Sequence, residues 1–291
     1  MESRENPIFG RKVFFLNPPL QIENSVLSIL KESEYEVYII RDYRDAKPIL
    51  AENKDAICFV NVDKQLEMDV WYNFIKSFKY DEKVSSIFLG VISSKIDLTY
   101  REKFLMDLKL PGGMILLNEP VNQTALKIEK ILEINGAKGR RKYIRLVCKD
   151  LENVKGYITV GDKMFFIKIN DISSVGFACT YDSAFEPLLI KNSVFREVTL
   201  ELGNDVRTVS MSLPSVVYDK KNINGQNIAV MLFTKEVPSE NRAGIRNFIF
   251  SVLEKQTEDF MKSSMKDMTD YSEKVDYPED DFSDIDDLEE L

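Results

Sequence analysis

The sequence contains no histidine. That absence excludes Ser-His-Asp and Cys-His nucleophilic arrangements, histidine acid–base catalysis and every zinc site that uses an imidazole. Cysteine is nearly as scarce: Cys58, Cys148 and Cys179 lie far apart, each inside an apolar or strand-like run. Three separated thiols cannot build a four-cysteine metal site or a disulfide framework, so buried, reduced thiols are expected. No run approaches the ~20 apolar residues of a membrane helix. Met1 to Gly10 is charged and polar, without the apolar core of a signal peptide. These absences point to a cytoplasmic protein with no metal site, no catalytic constellation and no membrane insertion.

What is present is the composition of a globular chain, 44% hydrophobic and 30% charged over 291 residues, long enough for two domains. The net charge of −9 is unevenly placed. Ser263 to Leu291 carries twelve Asp and Glu against two Lys, so residues 1 to 262 sum to about +1. With few large aliphatics and high charge density, residues 263–291 read as a disordered acidic tail.

Residues 1–135 alternate strand-like and helix-like segments. Strands are expected at Val13 to Leu16, Val37 to Ile40, Ala56 to Val60, Ile87 to Ile92 and Met114 to Leu117. Helical patterns follow each, including one that carries Trp71, Phe74, Ile75 and Phe78 at core-packing spacing and a closing helix from Val121 to Ile134. Five β-α repeats imply a doubly wound five-strand parallel sheet. The pattern breaks at Asn135-Gly136-Ala137-Lys138-Gly139, and residues 136–141 are read as a hinge linker. Residues 142–262 then follow a period near two, with strands expected at Tyr143 to Cys148, Met164 to Ile169, Phe177 to Tyr181, Val194 to Leu202, Val206 to Tyr218 and Ile228 to Phe233. That succession suggests an antiparallel β-barrel, closed by a helix from about Ser239 to Met261. Gly156 to Lys163 nearly spells a phosphate-binding loop, but Asp162 intrudes before the lysine and no Ser or Thr follows, so a hairpin turn is the better reading.

Two motifs flank the first strands of the second domain. Arg141-Lys142-Tyr143-Ile144-Arg145 is RxxxR, and Asp171-Ile172-Ser173-Ser174-Val175-Gly176 is DxSxxG. Together they resemble the signature of the PilZ domain, a β-barrel receptor for the second messenger cyclic di-GMP. The resemblance covers about residues 140 to 260. It implies a ligand site at Arg141, Arg145, Asp171, Ser173 and Gly176, with Arg140 a further cation outside the strict motif. The chemistry fits: arginine grips a phosphate or the guanine O6/N7 edge bidentately and stacks on the base. Asp171 can accept from guanine N1–H and N2–H, and Ser173 offers a small hydroxyl. Gly176 allows a close backbone turn.

The first domain resembles a response-regulator receiver in layout, and its key positions depart from that family. Asn17-Pro18 stands where the family has an acidic pair, Asn61 ends the third strand in place of an aspartate, and Glu119-Pro120 replaces lysine-proline. Ser93 matches the family's hydroxyl after the fourth strand. Asp63, two residues past Asn61, leaves a shifted register open. The expectation is a degenerate receiver-like domain used for protein contacts. The whole reads as a non-enzymatic cyclic di-GMP receptor of the kind that governs bacterial motility or biofilm. On that reading ligand changes the interdomain orientation and the binding of an unidentified protein partner, through the receiver-like domain or the acidic tail. No nucleic-acid polymer is expected as partner. The alternatives are an interaction adaptor with a nucleotide-free barrel and a phospho-regulated response regulator.

Overall fold

A computed structural model describes residues 10–204 and 207–273. The chain divides into two compact units. Among the described residues, one comprises residues 11–29, 37–137 and 264–273, the other residues 10, 30–36 and 138–263.

The first unit is the expected doubly wound sheet. Its strands are β1 (Val13–Leu16), β2 (Val37–Ile40), β3 (Ile57–Asn61), β4 (Phe88–Ser93) and β5 (Met114–Leu116), all parallel and ordered β2-β1-β3-β4-β5. This is the flavodoxin-like order. Every residue of β1 and β3 is buried, because helices cover both faces of a parallel sheet. The helices are α1 (Leu27–Glu32), entered through a wide π turn at Ile22–Val26 and running from residue 30 into the segment grouped with the second unit, α2 (Tyr43–Ala51), α3 (Met68–Tyr80), α4 (Leu98–Met106) and α5 (Val121–Ile134). Trp71, Phe74 and Phe78 are core residues at no more than 3% exposure, as their spacing implies.

The second unit is a closed antiparallel barrel. Its strands are β7 (Val154–Val160), β8 (Lys163–Ser173), β9 (Gly176–Tyr181), β10 (Val194–Gly203), β11 (Thr208–Ile223) and β12 (Gln226–Phe233). The hydrogen-bonded order β8-β7-β10-β11-β12-β9 returns to β8. A two-residue strand β6 (Leu146–Val147) attaches to the end of β8. Helix α6 (Ser239–Ser263) adds Ile245, Ile249 and Val252 to a core built from Ile158, Ile167, Leu200, Leu213 and Met231 among others. All three thiols are buried, and burial pushes each up to about 12, so they are inert.

Three expectations need correction. Strand β7 was not expected, and the strand expected over Tyr143 to Cys148 shrinks to β6. Gly156 hid β7: a Cβ there would stand 2.7 Å from Ile167 and 2.9 Å from Ile169, so the strand is notched to admit its neighbour's side chains. The near-phosphate loop is the β7–β8 hairpin, with Gly161 at φ 58° in its two-residue turn and Val160 paired to Lys163. The start of the expected strand at Val206 lies outside the described residues.

The third correction concerns the tail. Residues 264–273 are packed against the first unit instead of disordered. Tyr271 is 2% exposed, edge-on to Phe74 at 5.1 Å, with the Lys47 ammonium 5.4 Å from its ring. Its carbonyl accepts from Asn73 Nδ2 at 3.0 Å, and its hydroxyl donates to Asp267. The Asp267 amide donates to the Arg44 carbonyl at 2.8 Å, and Lys266 lies 3.0 Å from Asp42 and 3.4 Å from Asp45. Composition missed this because one buried aromatic outweighs several surface charges. The expectation of disorder for residues 274–291 falls outside the described residues. Tyr271→Ala is expected to cost about 2–4 kcal/mol of docking, whereas Tyr271→Phe retains most of it. Trypsin cleavage at Lys266 and the urea midpoint measure the effect; equal protection in wild type and alanine variant would show that the strap is undocked in solution.

Candidate ligand site on the barrel

The site is built by one short ladder. Strand β6 runs antiparallel to β8, pairing Leu146 with Ile172 and Val147 with Asp171, and the Cys148 amide extends the ladder to the Asn170 carbonyl at 2.8 Å. Leu146 and Cys148 are buried, so strand alternation turns Arg145 and Val147 outward. The ladder thereby sets RxxxR beside DxSxxG, which is otherwise 26 residues away at its nearest charged pair. Arg145 Nη1 lies 3.4 Å from Asp171 Oδ1, with both side chains partly exposed. Asp171 sits where the β8–β9 register shifts, between Ile169 and Asp171. The bulge there redirects its side chain.

The remaining motif residues have distinct placements. Arg140 and Arg141 are exposed in the loop before β6. Ser173 is buried at 4% exposure; its hydroxyl donates to the Gly176 carbonyl at 3.0 Å and accepts from the Val175 amide at 3.4 Å, closing the β8–β9 turn. Gly176 is required by packing: a Cβ would stand 2.3 Å from the Met231 carbonyl of β12. The motif's last two named positions thus fix the turn that carries Asp171.

Sequence reasoning missed the supports from α6. Arg242 donates through Nη1 to the Ser174 carbonyl at 3.2 Å and through Nη2 to the Thr234 carbonyl at 2.7 Å, tying the DxSxxG turn to the segment after β12. Arg246 follows one helical turn later. Two arginines at i and i+4 on an otherwise apolar stripe were the available signal. A separate groove of about 530 Å³ beside α6 is lined in part by Asp150, Glu152, Glu258 and Asp259 against Lys255 and Lys262. Its excess of carboxylates makes it a poor seat for an anion.

The receiver-like positions of the first unit hold no comparable donors. Asn61 is 1% exposed, and its Nδ2 donates to the Asn17 carbonyl at 2.7 Å. Asp63 accepts from the Ser93 hydroxyl, from the Ser94 amide at 2.7 Å and from the Ser94 hydroxyl at 2.6 Å. Burial pushes the Asp63 carboxyl up, but these hydrogen bonds and the nearby Lys95 charge outweigh it and hold the group below its ordinary range. Asp63 is therefore an ionised clasp between β3 and β4, and its stabilising contribution fades only as pH falls through that lowered value. Among the described residues, no three His, Cys, Asp or Glu side chains cluster as a metal-ion site would require. Nor is any described helix long and apolar enough to cross a membrane.

Solved structures offer similar folds. No family model matches the chain, and no curated protein does. Escherichia coli YcgR, solved in complex with c-di-GMP, is 14% identical with a TM-score of 0.37, over 43% of this chain and 51% of that one. Bacillus subtilis MotI/DgrA, an inhibitor of motility, is 13% identical with a TM-score of 0.34, over 40% and 52%. A response regulator from Desulfuromonas acetoxidans is 12% identical with a TM-score of 0.35, over 43% and 98%. The match thus spans about half the length of YcgR and MotI. With identities and scores this low, any assignment of the site stands on the residues of this chain.

Gly176→Ala is expected to lower stability by about 2–3 kcal/mol, since the clash is with backbone and the β9–β12 ladder must open. Urea denaturation followed by circular dichroism measures it. A midpoint equal to wild type would mean that β12 does not approach β9 this closely.

Proposed function

We propose that the barrel unit is a non-enzymatic receptor for cyclic di-GMP, bound by Arg140, Arg141, Arg145 and Asp171 on a turn shaped by Ser173 and Gly176. The observation that carries the reading is the β6–β8 ladder, which brings the RxxxR loop within reach of the DxSxxG turn and sets Arg145 against Asp171. The ligand presents two phosphates and two guanines. Arginine forks suit the phosphates and the guanine O6/N7 edge, and a carboxylate suits the guanine N1–H and N2–H donors. The crystal structure of YcgR with c-di-GMP is consistent with this choice of ligand. The protein acts in the cytoplasm, and its output is altered binding to a protein partner through the receiver-like unit or the acidic tail. The engagement of Asp63 by Ser93 and Ser94 argues against a phospho-regulated reading, because an acceptor carboxylate must be open to a phosphodonor.

Isothermal titration tests the receptor reading. Wild type is expected to bind cyclic di-GMP with micromolar or tighter affinity, and Arg145→Ala to bind at least about 30-fold more weakly. Equal affinity in the two proteins would remove Arg145 from the site, and no binding by folded wild type would leave an adaptor whose barrel takes no nucleotide.

Because Arg140 and Arg141 lie in the linker and Arg145 and Asp171 on the barrel, ligand would draw the linker onto the barrel surface and reset the interdomain orientation. Small-angle scattering is expected to show a smaller radius of gyration at saturating ligand. Superimposable curves with and without ligand would sink the switch while leaving the receptor intact.

A further inference from the structure

Glu34, which belongs to the barrel unit, carries its carboxylate into the middle of the two motifs. Its side chain is 10% exposed. Oε2 accepts from the backbone amide of Ile144, inside RxxxR, at 3.2 Å. Oε1 accepts from the hydroxyl of Ser174, inside DxSxxG, at 2.7 Å, and lies 3.4 Å from Arg246 Nε on α6. Ser174 is 3% exposed. The Arg246 Nε–H is buried and makes no hydrogen bond, so the carboxylate neutralises its charge without satisfying its donor. An amide and a hydroxyl that donate, and a guanidinium that contributes its charge, thus converge on the carboxylate from three segments. Such a set is complementary to an anion, and a carboxylate oxygen and a phosphoryl oxygen are equivalent acceptors for it.

We propose that Ile144 N–H, Ser174 Oγ and Arg246 form a phosphoryl-oxygen subsite of the nucleotide site, and that Glu34 fills it as an internal stand-in until ligand displaces it. The inference rests on the receptor reading above. Of the subsite, Ile144 lies between Arg141 and Arg145 along the chain, next to the arginines assigned to the phosphates. An incoming phosphoryl oxygen can also reach the Nε–H that Glu34 leaves unpaired. Glu34 then acts as a built-in competitor that sets the ligand concentration at which the receptor fills.

The backbone offers a clean test. Glu34 adopts φ 60°, a left-handed conformation at the end of α1 that glycine takes without strain. Glu34→Gly therefore removes the carboxylate without backbone strain, and Glu34→Gln keeps the shape and most hydrogen bonding while removing the charge. Calorimetric titration with cyclic di-GMP is expected to show both variants binding about 10-fold more tightly than wild type, because no internal anion has to leave. Arg246→Gln is expected to weaken binding about 10-fold, from loss of a charge-assisted donor. Wild type that binds, with Glu34 variants of equal or weaker affinity, would make Glu34 a structural clasp and overturn the subsite while the receptor reading stood. No binding by wild type or either Glu34 variant, all with native circular dichroism, would overturn the receptor reading and the subsite together.

Discussion

The arrangement of the barrel site depends on a ladder of two residues. Without the pairing of Leu146 and Val147 to Ile172 and Asp171, the arginine-bearing loop would have no fixed relation to the β8–β9 turn. A ladder this short is not held by its hydrogen bonds alone, which contribute only about 1 kcal/mol each after competition with water. Leu146 and Cys148, both at 2% exposure or less and part of the barrel cluster, provide the anchorage. The apolar residues on one face of β6 thus determine where the charged residue on its other face can reach.

The same division of labour runs through the DxSxxG turn. Ser173 and Gly176 are spent on the turn itself, one through a hydroxyl bridge across it and the other through the absence of a side chain against Met231. Arg242 then ties the turn from α6. Asp171 is the member left at the surface, beside a bulge. The motif therefore separates into one partly exposed carboxylate and a rigid support for it.

Much of this was legible in the sequence, for identifiable reasons. The parallel sheet announced itself because β1, β3 and β4 are buried on both faces and read as unbroken apolar runs. The barrel strands with clear alternation were readable for the opposite reason. Strand β7 was not, since Gly156 interrupts its pattern to make room for Ile167 and Ile169, a constraint that only the partner strand reveals. The Asn224-Gly225 turn, with both residues at positive φ, marked a hairpin and would have extended β11 to Ile223 and β12 back to Gln226. Tyr271 and Glu34 were illegible because each is one residue in a polar stretch whose partners lie far away in sequence, and no local period encodes such a contact.

The carboxylates of this chain explain how the two units differ chemically. In the first, Asn61 donates to the Asn17 carbonyl, and Asp63 accepts from Ser93 and Ser94. In the barrel, carboxylates instead sit beside cations at geometries short of ideal, Asp171 at 3.4 Å from Arg145 and Glu34 at 3.4 Å from Arg246. The Arg145–Asp171 pair is partly exposed, and such a pair at that separation contributes little, commonly less than about 1 kcal/mol. On the proposed receptor reading, an anionic ligand that replaces the Arg145–Asp171 pair gives up little ion pairing and gains bidentate, charge-assisted contacts. The first unit's Asp63 is held by hydrogen bonds from hydroxyls and an amide, whereas the barrel's Asp171 and Glu34 face arginines at 3.4 Å.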